Sequence, residues 1–191
     1  PQEVILLKLR EIALKGLNRK SFEDVLLKNI RRRLQSAGAF SVSSRQSTVY
    51  VVPEEESADL DLAEERVSQV FGVVGYVRAG VCEKDLDAIC ARAASYLEES
   101  LEEASTFKVE CKRSDKKFPY KSPEISAEVG HALLERFPHL QVDVHNPDLT
   151  VRVEVRERYA FVHGEVKPGA GGIPVGTGGK AAVLISGGLD S

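Results

Sequence analysis

Val4 to Leu9 is an almost unbroken apolar run of strand length and predicts a buried strand. The spacing then changes. Phe22, Val25, Leu26, Ile30 and Leu34 recur at three- and four-residue intervals, the face of an amphipathic helix. Asn18 or Ser21 is placed to cap it, and Gly38 stands where helices end on glycine. Residues 10–19 between them read as a loop pivoting on Gly16. Val42 and Thr48 to Val52 predict two strands around a turn, closed by Pro53. Leu60 to Phe71 returns to helical spacing through Leu62, Val67 and Val70, and Val73 to Val77 gives a fourth strand. The order β-α-β-β-α-β is the split ferredoxin-like arrangement, so residues 1–78 form a first domain.

The second half repeats the mixture. Leu86, Ile89, Cys90, Ala93, Leu97 and Leu101 make one stripe on a helix predicted from Asp85 to Glu103. Phe107 to Cys111 alternates as a strand. Ser122 or Ser126 starts a helix with Ile125, Val129, Leu133 and Leu134 inward, stopping near Phe137-Pro138. Gln141–Val144, Leu149–Val155 and Tyr159–Val162 are the remaining strands, with Asn146-Pro147 as a turn. The fold class is α+β, with residues 79–167 as an α/β second domain. Residues 168–180 are rich in glycine and proline and predict an extended connector.

Beyond the connector, Ala181 to Ile185 is apolar and of strand length, and it breaks into Ser186-Gly187-Gly188 before Asp190 and Ser191, both good helix caps. Strand, glycine turn and helix start together make an anion site: free N–H groups at the positive end of a helix dipole. This is not a Walker A loop. Gly179-Lys180 precedes the strand, and Ala181 stands where Ser or Thr would hold a metal.

Length and composition narrow the classes. The 191 residues, 42% hydrophobic, suffice for one large or two small domains. No apolar run approaches the ~18 residues of a membrane span. Cys82, Cys90 and Cys111 are odd in number and share no C-x-x-C spacing, which points to reduced thiols of a cytoplasmic protein and neither to a disulfide frame nor to a zinc site. His131, His139, His145 and His163 show no metal or triad spacing and read as structural or solvated.

A net charge of −3 does not advertise a nucleic-acid binder, so any RNA site must be local. Two basic stretches qualify. Lys15, Arg19, Lys20, Lys28 and Arg31 to Arg33 gather on the first loop and helix, as a phosphate surface or as a solvated face with cations at a helix C-terminus. Lys112, Arg113, Lys116, Lys117 and Lys121 surround a single Asp115, with Phe118 and Tyr120 interleaved. Phosphate neutralisation with aromatic stacking suits RNA ends and loops. The competing picture is a basic surface loop whose Phe118 is anchored in the core. Glu54 to Glu56, with Asp59 and Asp61, form an acidic loop to which no chemistry is assigned.

Four segments now fall in one order: Glu11-Ile-Ala-Leu-Lys-Gly-Leu-Asn-Arg19, Lys112-Arg-Ser-Asp-Lys-Lys-Phe-Pro119, Lys167-Pro-Gly-Ala-Gly-Gly-Ile-Pro174 with Gly176-Thr177, and Ser186-Gly-Gly-Leu-Asp-Ser191. The last resembles the PP-loop of ATP pyrophosphatases. Together they resemble the tRNA 4-thiouridine synthetase family, also called tRNA sulfurtransferase or the thiamine-biosynthesis sulfur carrier enzyme, over essentially the whole chain. The resemblance implies a ferredoxin-like domain, a THUMP domain and then a doubly wound α/β ATP-pyrophosphatase domain, of which residues 181–191 are the start.

It implies further that the first two domains grip the acceptor arm and 3′ end of tRNA and present uridine 8 to a partner subunit of a homodimer. ATP, with Mg2+, would adenylate the base, and a persulfide loaded by a cysteine desulfurase would deliver sulfur. The same resemblance adds sulfur supply for the thiamine thiazole. Leu184, Ile185, Ser186, Gly187, Gly188, Asp190 and Ser191 would hold ATP, with Asp190 as the catalytic member. Lys15, Arg19, Lys112, Arg113, Lys116, Lys117, Phe118, Tyr120 and Lys121 would meet RNA. The sulfur-carrying cysteine of the family lies beyond Ser191, so none of the three cysteines takes that role. Arg10 departs from the glycine usual before Glu11.

Other readings meet specific objections. THUMP domains also precede methyltransferases and pseudouridine synthases, but neither reaction uses an ATP pyrophosphatase loop. A small-molecule PP-loop ligase leaves the basic stretch at Lys112 to Lys121 without a purpose. A regulatory domain with no RNA role fits the net charge but not the ordered motifs.

Overall fold

Val4, Ile5, Leu6 and Leu7 are each at most 2% exposed, because the strand they form is interior to its sheet and covered on both faces. An unbroken apolar run, instead of an alternating one, is what that position requires. The computed structural model describes residues 2–10 and 18–171, with only the backbone for Asn18 and Arg19. Lys15, the side chain of Arg19 and all of Leu184 to Ser191 lie outside the described residues.

The chain forms two units, the first of which joins residues 3–78 to a segment that begins at Val166. In it, β1 (Glu3–Leu9) leads to α1 (Asn18–Leu34), a 3-10 turn (Gln35–Ala37), β2 (Phe40–Arg45), β3 (Thr48–Pro53), α2 (Leu60–Val67) and β4 (Val73–Cys82). The strand order β2-β3-β1-β4 is the expected ferredoxin-like one. Register places Ile5 opposite Val51 and Leu7 opposite Val49, and β3 pairs β2 through Val51 and Val42. These side chains meet Phe22, Leu26, Ile30 and Leu34 of α1 and Ala63 and Val67 of α2 in one core. Gln46 and Ser47 turn the β2–β3 hairpin with φ of 50° and 62°, the left-handed pair that a two-residue primed turn demands. Gly38 follows the 3-10 turn at φ 125°, a conformation that glycine alone takes easily. The acidic loop has local duties: the Asp59 carboxylate accepts the Leu62 N–H at 3.0 Å and caps α2, and the Asp61 carboxylate pairs with Arg78.

The second unit spans Ala79–Glu165. The end of β4 is followed by α3 (Leu86–Tyr96), α4 (Glu98–Glu103), β5 (Thr106–Arg113), α5 (Ser122–Arg136), β6 (Gln141–Val142), β7 (Leu149–Val155) and β8 (Ala160–His163). The strand order is β4-β8-β7-β5-β6, with β5 parallel to both β6 and β7 and β8 antiparallel to its neighbours. Phe107, Val151, Val153, Val155 and Val162 pack under Ile89, Ala93, Leu101, Ile125, Val129 and Leu133.

Three local expectations need correction. The helix over Asp85–Glu103 is two helices, because Leu97 leaves helical geometry (φ −103°, ψ 20°) while its neighbours keep the apolar stripe. Neither Ser122 nor Ser126 caps α5; Lys121 occupies the cap position, and the Glu124 carboxylate accepts the Lys121 N–H at 3.2 Å. Strand β6 stops at Val142, because the Asp143 carboxylate accepts the N–H groups of His145 and Asn146, each at 3.0 Å, and turns the chain.

The predicted connector also starts differently. Val166 to Gly171 returns to the ferredoxin-like unit, where β9 (Lys167–Pro168) pairs antiparallel with β4.

Candidate nucleic-acid interface

Strand β5 carries the basic stretch out of the second unit's sheet, and the loop from Ser114 to Lys121 joins it to α5. Parallel pairing with β7 sets its exit, with Lys112 beside Glu154 and Arg113 beside Val155. Ser114 continues the ladder by donating its N–H to Val155 O at 2.9 Å. The loop then folds on itself. Arg113 Nη1 donates to the carbonyls of Asp115 and Phe118, both at 3.1 Å. The Asp115 carboxylate accepts the Lys117 N–H at 3.0 Å and pairs with Lys84. Those two donors, Lys84 first, hold the Asp115 carboxyl below the usual aspartate range.

These bonds sort the predicted RNA contacts into two groups. Lys112, Lys116, Lys117 and Lys121 are exposed, and the Tyr120 ring is 38% exposed. A fixed loop presenting four ammonium groups and one aromatic face can neutralise phosphates and stack a base with little ordering cost. Arg113 and Phe118 serve the loop instead. Arg113 is half-buried and spends Nη1 on two carbonyls. Phe118 is 7% exposed, packs in the core, and meets Tyr120 at a tilted 5.8 Å between ring centroids. Its burial withdraws Phe118 from base stacking, a correction to the paired-aromatic expectation.

On α1, Arg31 Nη2 donates to Val42 O at 3.0 Å and Arg33 Nη1 to Gln69 Oε1 at 3.2 Å, so both tie the helix to its own unit. Lys20, Lys28 and Arg32 are exposed.

Sequence reasoning missed two features near the site. Lys84 holds the loop through Asp115, but the two are far apart in sequence and no spacing rule links them. Glu154 of β7 is 3% exposed and His163 of β8 1%. His163 Nε2 lies 2.6 Å from Glu154 Oε2, Nδ1 lies 2.8 Å from Gly164 O, and Arg156 pairs with the other Glu154 oxygen. Two residues apart from direct register (Glu154 faces Phe161), the pair shares one face of the β7–β8 hairpin. That diagonal relationship was the available signal. His163 is thus a buried structural histidine, and the exposed His131 faces Glu135 one turn on at 3.2 Å. Among the described residues, no three His, Cys, Asp or Glu side chains gather as a metal site, and no helix is long and apolar enough to cross a membrane.

Two family models match the chain, the ThiI ferredoxin-like domain over residues 4–77 and the THUMP domain over residues 83–163. The chain thus carries a ThiI ferredoxin-like domain over residues 4–77 and a THUMP domain over residues 83–163. It is 45% identical over 190 residues to a probable tRNA sulfurtransferase of Caldanaerobacter subterraneus subsp. tengcongensis, covering 100% of this chain and 48% of that protein. It is 39% identical over 187 residues to the probable tRNA sulfurtransferase of Staphylococcus aureus strain Newman, covering 98% of this chain and 46% of that one. Among solved structures it is similar to a 4-thiouridine synthetase crystallised with RNA and bound ATP, at a TM-score of 0.79 and 31% identity over 94% of this chain and 45% of that one. The chain thus spans about half the length of the curated relatives it matches. The THUMP match places the basic loop and its Lys84 clamp inside the THUMP domain.

Proposed function

We propose that this chain is the tRNA-gripping portion of an ATP-dependent tRNA sulfurtransferase that makes 4-thiouridine at position 8. What carries the reading is the basic loop of the THUMP domain, held in shape by Arg113 and Asp115 so that Lys112, Lys116, Lys117, Lys121 and Tyr120 face solvent. The likeness to a 4-thiouridine synthetase seen with RNA and ATP supports it.

In this reading the lysines meet phosphates of the acceptor arm, and Tyr120 stacks on a base of the unpaired 3′ end. Sequence chemistry supports an ATP site at Leu184 to Ser191: the Ser186, Gly187 and Gly188 backbone around the phosphates, with Asp190 and Ser191 at the helix start. ATP, with Mg2+, would transfer its adenylyl group to the uracil O4 with release of pyrophosphate, so that the oxygen then leaves C4 as part of AMP. A persulfide charged by a cysteine desulfurase then supplies sulfur. Homodimerisation, a cytoplasmic location and a second use of the sulfur in thiamine thiazole synthesis complete the proposal.

The test is nucleoside mass analysis of bulk tRNA from cells lacking the gene. Loss of 4-thiouridine, restored by the full-length gene but not by its Asp190→Ala form, is the expected result. Unchanged 4-thiouridine in a strain with no second enzyme would remove the assignment.

A further inference from the structure

A chain segment of glycine and proline that merely tethers two domains has no reason to bind either. Val166 to Gly171 does bind one. Strand β9 pairs with β4, setting Lys167 opposite Tyr76 and Pro168 opposite Gly75. The pairing continues past the strand: Gly169 N–H donates to Val74 O at 3.0 Å, Gly171 N–H to Val73 O at 2.8 Å, and Gly72 N–H returns to Gly171 O at 2.7 Å. Side chains add to it. Lys167 Nζ lies 3.2 Å from Glu64 Oε2 and 6.0 Å from the centre of the Tyr76 ring.

The fit is close enough to dictate residue type. A Cβ on Gly169 would lie 2.3 Å from the Val73 carbonyl oxygen and 3.0 Å from its carbon, both backbone atoms that cannot swing aside. A Cβ on Gly75 would lie 2.5 Å from Val166 Cγ1. Composition alone explains a glycine in a tether by flexibility, and Gly169 is here for the opposite reason.

We propose that Val166 to Gly171 is an anchor that fixes the departure point of the downstream chain on the ferredoxin-like unit, with Gly169 as its positioning residue. Without it, the downstream chain would start from the end of the THUMP domain at Glu165. With it, the origin is carried by the first unit. Resting on the sulfurtransferase reading for the identity of the downstream domain, the anchor sets where the ATP domain begins relative to the ferredoxin-like domain. RNA grip and presentation of the catalytic domain are thereby assigned to different units.

The experiment uses the full-length protein with Gly169→Val. Hydrogen exchange at Gly169 and Gly171 reports whether the strap is seated, small-angle scattering reports the spread of the whole protein, and thiolation kinetics report function. The expected result is loss of amide protection, a larger radius of gyration, unchanged tRNA affinity, and a fall in kcat of about tenfold or more at saturating tRNA. Unprotected amides with an unchanged radius of gyration and kcat overturn the proposal, and so do amides that stay protected. Should Gly169→Val fold poorly, Lys167→Ala leaves the backbone pairing free of clashes. Faster strap exchange with a lowered kcat is then expected, and faster exchange at unchanged kcat overturns the anchor. If the unaltered protein thiolates no tRNA, the sulfurtransferase reading fails on its own, while exchange and scattering still decide the anchor.

Discussion

Glu154 and His163 meet across the β7–β8 hairpin, Oε2 to Nε2 at 2.6 Å, and both are almost wholly buried. Arg156 holds the other carboxylate oxygen, and both ring nitrogens of His163 face acceptors. Removing Glu154 therefore takes its carboxylate partner from the partly buried Arg156 guanidinium and leaves the Nε2 side of the imidazole without its partner. Glu154→Ala should destabilise the THUMP unit by roughly 3–5 kcal/mol, whereas Glu154→Leu combined with His163→Leu and Arg156→Leu should recover most of that loss. Urea unfolding followed by near-ultraviolet circular dichroism checks it; equal stability for the single and triple variants would show that the network holds nothing.

The two aromatic residues of the basic loop should separate cleanly. Phe118→Ala removes a core ring and should cost about 3–5 kcal/mol of folding stability. Tyr120→Ala should leave stability within about 0.5 kcal/mol and weaken RNA binding by about 1–3 kcal/mol. Paired thermal melts and titrations with a fluorescent tRNA acceptor-stem mimic read both numbers. Equal binding loss with no stability loss in Phe118→Ala would contradict its burial.

Charge reversal by Lys116→Glu with Lys117→Glu should weaken binding and reduce the slope of log K against log salt by about 2, at roughly 0.9 per phosphate contact. Arg113 is engaged with loop carbonyls, so Arg113→Ala should loosen the loop and lower affinity with a smaller change in slope per charge removed. An unchanged slope in the double reversal removes those lysines from the interface.

Asp115 gives a pH prediction. Its folded carboxyl is held low by Lys84 and by the Lys117 N–H, so the charged form is favoured in the native loop. The stabilisation is present above the unfolded value of about 3.9 and is lost as pH falls through the lower folded value. The Lys117 amide shift should accordingly titrate with a midpoint below that of a free aspartate, and Lys84→Ala should move the midpoint up. A midpoint at or above about 3.9 in the unaltered protein would contradict the clamp.

The cysteines should be poor nucleophiles. Burial pushes the Cys82 thiol up to about 11, against an opposing pull from Arg92, and burial also raises Cys90 and Cys111. At pH 8, Cys82 should alkylate on the order of a hundredfold more slowly in the native state than in urea, as time-resolved mass analysis would show. Fast native alkylation would place the thiol in solvent.

What could be read from residues and what could not differ by kind of interaction. Phe22, Leu26, Ile30 and Leu34 declared α1, because side chains burying one helical face must recur with its period. Leu97 hid the break between α3 and α4, because Leu97 N–H still bonds Ala93 O and Leu101 N–H still bonds Leu97 O, so the stripe stays in phase through the bend. The lysines of the basic loop were legible from composition, but the inward turn of Phe118 and Arg113 depends on neighbours brought by the sheet. The anchor at Val166 to Gly171 left no side-chain pattern, because backbone groups make most of its bonds.

The return of β9 to β4 also orders events during synthesis. Gly75 emerges from the ribosome about ninety residues before Pro168, its partner, and a loop of that length must close before the pair can form. The ferredoxin-like strands β1, β2 and β3 can assemble as they emerge, but the edge beside Val73 to Tyr76 waits for the whole THUMP domain to be translated. A nascent chain arrested within the THUMP domain therefore exposes an unfinished strand edge, the kind of surface on which strands from other chains can pair.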